Sequence, residues 1–69
     1  MNLDLRQAIV RRVEDKNNEE LREVIEGSIG GDDRALPGLG VLFEIIWTHT
    51  DEQIQQELVN TLKENLHHH

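Results

Sequence analysis

The chain has no cysteine and no tyrosine, and only one proline, one serine, one phenylalanine and one tryptophan. Without cysteine, no disulfide and no thiolate zinc site can staple the fold, a composition that fits a reducing interior. Acyl-transfer chemistry needs a nucleophile, a base and an orienting group. Here the inventory is Ser28, His49 and no thiol, since the other histidines are the terminal His67, His68 and His69. Long apolar runs are missing too. The longest weakly charged stretch is 35–50, with Glu44 as its single Asp, Glu, Lys or Arg, short of the ~20 residues a membrane span needs. Asp4 and Arg6 stand where a signal peptide would require an apolar run. No membrane association and no leader segment are therefore expected.

What is present is a short acidic chain. Its 69 residues allow one domain, assigned to 1–66, with 67–69 read as the remains of a purification tag and excluded from fold and metal arguments. A core of this size supplies only about 3–5 kcal/mol of net stability, and self-association is the inexpensive way to bury more surface. The net charge of −7 is unevenly placed: residues 1–16 carry +1 and the remainder −8. An acidic body repels phosphate backbones, so nucleic acid is disfavoured as a partner. Most of the acids read as a solvated surface.

The hydrophobic pattern is helical throughout. Leu5, Ala8, Ile9 and Val13 share one face, with Asn2 or Asp4 placed to cap a first helix over about 4–14. After polar Asp15-Lys16-Asn17-Asn18, the pair Asn17 and Glu20 has capping-box spacing, and Leu21, Val24, Ile25, Ser28 and Ile29 repeat at helical spacing. That gives a second helix over about 18–29, stopped by Gly30-Gly31 because glycine takes a left-handed cap without steric cost. Gly30 to Arg34 is the most loop-like segment, the expected place for disorder or cleavage.

Residues 36–47, LPGLGVLFEIIW, are the most unusual segment. Pro37 suits a first helical position, where its missing N–H is not needed. Leu39, Leu42, Phe43 and Ile46 lie on one face, and Val41, Ile45 and Trp47 widen it until the helix is apolar nearly all round, the mark of a buried helix. Val, Ile, Phe and Trp also favour strands, but nothing else in the chain reads as a strand to pair with. A third helix is placed at about 37–48. Thr50 to Gln53 fits the S/T-x-x-E/Q capping box, and Ile54, Leu58, Thr61 and Leu62 carry a fourth helix over about 51–65. The fold class is all-α: a small four-helix bundle-like domain whose central third helix is covered by the other three or by a twin copy.

Each candidate site has a plainer explanation. Gly38-x-Gly40 lacks the preceding strand and the lysine of a phosphate-binding loop, and reads instead as close backbone passage at a helix start. His49 has no further ligands at metal-binding spacing. Asp32, Asp33 and Glu26 lack the alternating oxygens of a calcium loop. No catalytic, cofactor or metal residues are assigned, and the chain reads as non-enzymatic with no small-molecule substrate. Two sets remain as candidate partner contacts. Arg6, Arg11, Arg12 and Lys16 form a basic patch on the first helix, although Arg11 and Arg12 diverge by about 100° and balancing the acidic remainder explains them more simply. Val41, Ile45 and Trp47 are the extra width of the third helix; Trp47 and Phe43 read as core packing.

The run from Leu36 to Trp47 resembles the small acid-soluble spore protein I family of endospore-forming bacteria. The opening Asn2-Leu3-Asp4-Leu5-Arg6-Gln7-Ala8-Ile9, the length and the two-glycine middle loop are also similar to it. The resemblance covers most of 2–62, with 36–47 its most specific part and 48–66 matching less well. It implies a protein made in the forespore late in sporulation and kept in the cytoplasmic spore core, with no enzymatic activity, no cofactor and no established binding residues. The DNA-coating α/β-type acid-soluble spore proteins are a different family, and their pattern is absent here. The expectation is a non-catalytic structural or interaction protein of the spore core that associates with itself as a homodimer or with another spore protein. The alternatives are a nucleic-acid-associated protein using the basic first helix, or a regulatory module presenting the third helix to a partner's groove.

Overall fold

A computed structural model describes residues 4–66 as four α-helices: α1 Leu5–Val13, α2 Asn18–Ser28, α3 Leu36–Thr48 and α4 Glu52–Leu66. Each begins where a side chain accepts an otherwise unused backbone N–H, or where a tighter turn leads in. Asp4 accepts from the Gln7 amide at 3.3 Å. Asn17 accepts from the Glu20 amide at 2.8 Å while the Glu20 carboxylate accepts from the Asn17 amide at 3.0 Å. Asparagine therefore does here what serine or threonine usually does in a capping box.

Two starts differ from the sequence expectation. Segment 30–34, expected to be the loosest part of the chain, contains a 3-10 turn at Asp33–Ala35 that runs straight into α3. Asp32 holds that turn by accepting from the Arg34 amide at 2.8 Å and pairing with its guanidinium at 2.9 Å. Because the turn already sets a helical direction, α3 begins at Leu36 and Pro37 falls in its first turn. At α4 the cap is Asp51, which accepts from the Ile54 amide at 2.9 Å. Thr50, the capping residue expected from the sequence, instead donates its hydroxyl to the Trp47 carbonyl at 3.1 Å. α2 ends one residue earlier than expected, and Gly30, at φ 71°, takes the left-handed conformation that stops it.

The third helix is the hub: α1 and α2 pack against α3, and the 3-10 turn abuts its start. The all-α, four-helix reading with a central apolar third helix stands, and no strand occurs among the described residues. The coverage of that helix differs from expectation. Among the described residues Val41 alone is buried, at 8% exposure, while Phe43 is 49% exposed, Ile46 42% and Ile45 41%. Pro37, Val41 and Glu44 follow the spacing of one helical face. That face meets α1, because the Glu44 carboxylate pairs with the Arg6 guanidinium at 2.7 and 2.8 Å. Of the stripe Leu39, Leu42, Phe43 and Ile46, the first two are half-buried and the last two are left facing out. The radius of gyration, 13.7 Å, exceeds the about 11 Å of a closely packed chain of this length.

Candidate functional site

The corner between α3 and α4 is built from backbone satisfaction. The last carbonyls of a helix have no partner within it, and here the Trp47 carbonyl accepts from the Gln55 side-chain amide at 2.7 Å as well as from Thr50. Gln55 also donates to the Thr50 carbonyl at 3.3 Å. Since Gln55 lies on the first turns of α4, these bonds fix how α4 leaves α3. Thr48 and His49 close further carbonyls: Thr48 donates to the Glu44 carbonyl at 2.9 Å, and His49 Nδ1 lies 2.8 Å from the Ile45 carbonyl. With Nδ1 as the donor there, the ring is committed to its own helix.

The result is an open groove of about 980 Å³. One wall comes from α3, with Leu39, Phe43, Ile46 and Trp47; the other from α4, with Leu58, Val59 and Leu62. Ile25 and Ile29 reach it from the end of α2. Phe43 and Trp47 stack with ring centroids 5.8 Å apart and a 41° tilt, within the range of a favourable aromatic pair. Among the lining residues Glu44 is the single charged one, and Arg6 holds it. The chain forms a wide trough by leaving its apolar helix uncovered, without enclosing a cavity.

A second cleft, about 420 Å³, lies where α1 and α2 meet the start of α3. Its apolar floor includes Leu5, Ile9, Val24 and Leu42, and Arg12, Lys16 and Arg34 stand among its lining residues. Arg34 is engaged with Asp32, whose carboxyl that hydrogen bond holds below the usual carboxylate range.

The candidate contact residues thus separate. Arg6 belongs to the α1–α3 junction, and its guanidinium is raised above its ordinary value by the hydrogen bond to Glu44. Arg12 and Lys16 line the second cleft, and Arg11 is exposed outside it. Of the apolar candidates, Trp47 lies in the large groove and is half-buried. Val41 is the best-covered side chain among the described residues and retains little surface to offer. Ile45 is exposed but lines neither depression. The sequence reading missed the contribution of α4 and of Phe43 and Ile46. The signal was present in the fourth helix, where Ile54, Leu58, Leu62 and Leu66 recur every four residues as an apolar stripe needing cover.

Ser28 donates its hydroxyl to the Val24 carbonyl at 2.8 Å, so its proton is used within α2. Among the described residues no group of three or more His, Cys, Asp or Glu could hold a metal ion, and no helix is long and apolar enough to cross a membrane.

No solved structure matches the chain. The family model described as small, acid-soluble spore protein I matches residues 3–66, which takes in all four helices and both depressions. Curated relatives bear the same description. One from Geobacillus kaustophilus is 46% identical over 65 residues, covering 93% of this chain and 94% of its own. Another from Bacillus licheniformis is 43% identical over 67 residues, covering 96% of each. A third from Bacillus subtilis is 43% identical over 67 residues, covering 96% of this chain and 94% of its own. The chain belongs to the small, acid-soluble spore protein I family.

Proposed function

We propose that this spore protein is a non-catalytic structural or interaction protein of the spore core, and that it works by presenting the α3–α4 groove to a protein partner. The observation that carries this reading is the uncovered apolar face itself. A small domain with one well-buried side chain among its described residues leaves Phe43, Ile46 and Leu62 in water, and large contiguous apolar patches mark association surfaces. The groove also lacks what a reaction needs. Its walls hold no histidine, lysine, serine or cysteine, and its one carboxylate is tied to Arg6.

Nucleic acid fits the surface less well. The net charge is −7, and three of the five arginines, Arg6, Arg22 and Arg34, are bound to carboxylates of the same chain. Electrostatic attraction to phosphates is the main source of such binding, and little is left to supply it.

A photo-cross-linking residue placed at Phe43 in sporulating cells tests the proposal, with the same residue at Arg11 as a surface control. Protein adducts concentrated at position 43 are the expected result. Adducts absent at 43, or DNA adducts at 11, would overturn it.

A further inference from the structure

Resting on that reading, we infer that the occupant of the α3–α4 groove is a second copy of the same chain, docked through α4 about a twofold axis. The area argument is the strongest. The chain exposes 6220 Å², whereas a compact monomer of 8.0 kDa would expose about 4,500 Å². Residues 1–3 and 67–69 lie outside the described part; setting them aside as fully extended chain removes about 1,100 Å² from the observed area and about 300 Å² from the compact expectation, and still leaves an excess of roughly 900 Å². A stable interface takes about 800 Å² from each partner, and obligate dimers take more. The uncovered area is therefore of the size one copy contributes to a dimer.

The shape of the apolar surface points the same way. The α4 stripe of Ile54, Leu58, Leu62 and Leu66 is at least partly exposed, with Leu62 at 59% and Leu66 at 56%. It borders the groove that its own helix helps to form. A twofold operation seats that stripe between α3 and α4 of the other copy and returns the favour, so the same residues serve as ridge and as trough. Isologous contacts of this kind are the commonest in soluble oligomers. The charge pattern permits it as well. The one charge on α3, Glu44, is neutralised by Arg6, so an approaching acidic α4 meets an electrically quiet wall. The remaining acids of the two copies repel at longer range, and salt screens that repulsion. Self-association should therefore strengthen with salt, while docking of a basic partner would weaken.

Sedimentation equilibrium over micromolar to submillimolar protein, at about 0.05 and about 0.5 M salt, reads the mass directly. The expected result is twice 8.0 kDa, with tighter association at the higher salt. Leu62→Glu would bury an unpaired carboxylate in the interface and should weaken association by about a hundredfold or more. Should that variant lose its helices, isotope-filtered nuclear Overhauser contacts in mixed-label wild-type protein give the answer without it. Contacts between the Phe43 or Trp47 rings of one copy and the Leu62 or Leu66 methyls of the other support the inference. A mass of one chain throughout, or dimer contacts confined to other faces, overturns it. A monomer that still gives cross-links to a different protein at position 43 sinks the dimer and leaves the proposed function standing. A monomer with no cross-links removes both.

Discussion

The Arg6 guanidinium and the Glu44 carboxylate form a two-pronged ion pair, Nε to Oε1 at 2.7 Å and Nη2 to Oε2 at 2.8 Å, across 38 positions of sequence. It is the only ion pair among the described residues that joins two different helices. The other two lie within single stretches of chain, Arg22 with Glu26 along α2 and Arg34 with Asp32 at the 3-10 turn. It therefore ties α1 to α3 at one point, and it neutralises the charge that the groove wall would otherwise carry.

The pH dependence follows from its sign. The hydrogen bond from Arg6 holds the Glu44 carboxyl below its ordinary value, with partial burial opposing the shift. A carboxylate depressed in the folded state stabilises the fold above its unfolded value and loses that contribution as pH falls through the lower folded value. Asp32 behaves in the same direction because of Arg34. The melting temperature should therefore fall on acidification below the ordinary glutamate range. Glu44→Gln should melt below the wild type at neutral pH, with the gap closing once Glu44 is protonated. An unchanged gap at pH 7 and at strongly acid pH would show that the pair contributes no linkage. Both groups are exposed, so the effect is small and calls for calorimetry on matched samples.

Element type was readable in the sequence because it depends on local chemistry. The spacing of Leu21, Val24, Ile25 and Ser28, the Asn17–Glu20 box and the two glycines act within a few residues of each other, and all three appear where expected. The choice between Thr50 and Asp51 as cap was not readable, because Thr50 is drawn to the Trp47 carbonyl by the course of the chain into α4. The burial pattern of α3 was beyond reach for a related reason. A helix apolar on nearly every side carries no mark of which side its neighbours take. In the fold α1 takes the Val41 face, with Arg6 on Glu44 at its edge, and Phe43 and Ile46 stay open. Of the apolar contacts singled out in the sequence, Trp47 lies in the groove, while Val41 and Ile45 lie outside it because the groove runs along the Leu39, Phe43 and Ile46 stripe.

Val41→Ala tests whether that face is the real core. Val41 is 8% exposed, and removing its two methyl groups from a packed site should destabilise the fold by about 2 kcal/mol. Against a total of about 3–5 kcal/mol, the urea midpoint should drop sharply. Ile45→Ala, at a 41% exposed position in neither depression, should lose well under half as much. Both belong at one fixed protein concentration, because association shifts apparent stability. Equal losses at the two positions would contradict the assigned core.

Gly30 is the one described residue with positive φ, at 71°. A Cβ built there meets nothing within 4 Å, so any penalty is conformational and not steric with neighbours. Gly30→Ala should destabilise by about 1 kcal/mol, and Gly30→Asn by less, since asparagine tolerates the left-handed region. Denaturant titration of the pair separates this account from a packing one. A packing account would make the larger asparagine the worse of the two.

The cap of α4 gives the most direct comparison between the sequence expectation and the structure. The capping-box spacing assigns the role to Thr50, yet the Ile54 amide donates to Asp51 at 2.9 Å. If Asp51 is the cap, Asp51→Ala leaves a first-turn N–H without its partner and removes a negative charge from the positive end of the helix dipole. The expected cost is about 1 kcal/mol. Amide exchange should then quicken at the start of α4, at Ile54 first. Thr50→Ala should act elsewhere: it removes one of the hydroxyl and amide donors that converge on the Trp47 carbonyl, and Gln55 still supplies a bond of 2.7 Å. Its loss should be smaller and should appear at the C-terminus of α3. Ile54 quickening in the Thr50 variant and not in the Asp51 variant would return the cap to threonine. It would also reopen how α4 is aimed, and with it the wall that Leu58 and Leu62 build.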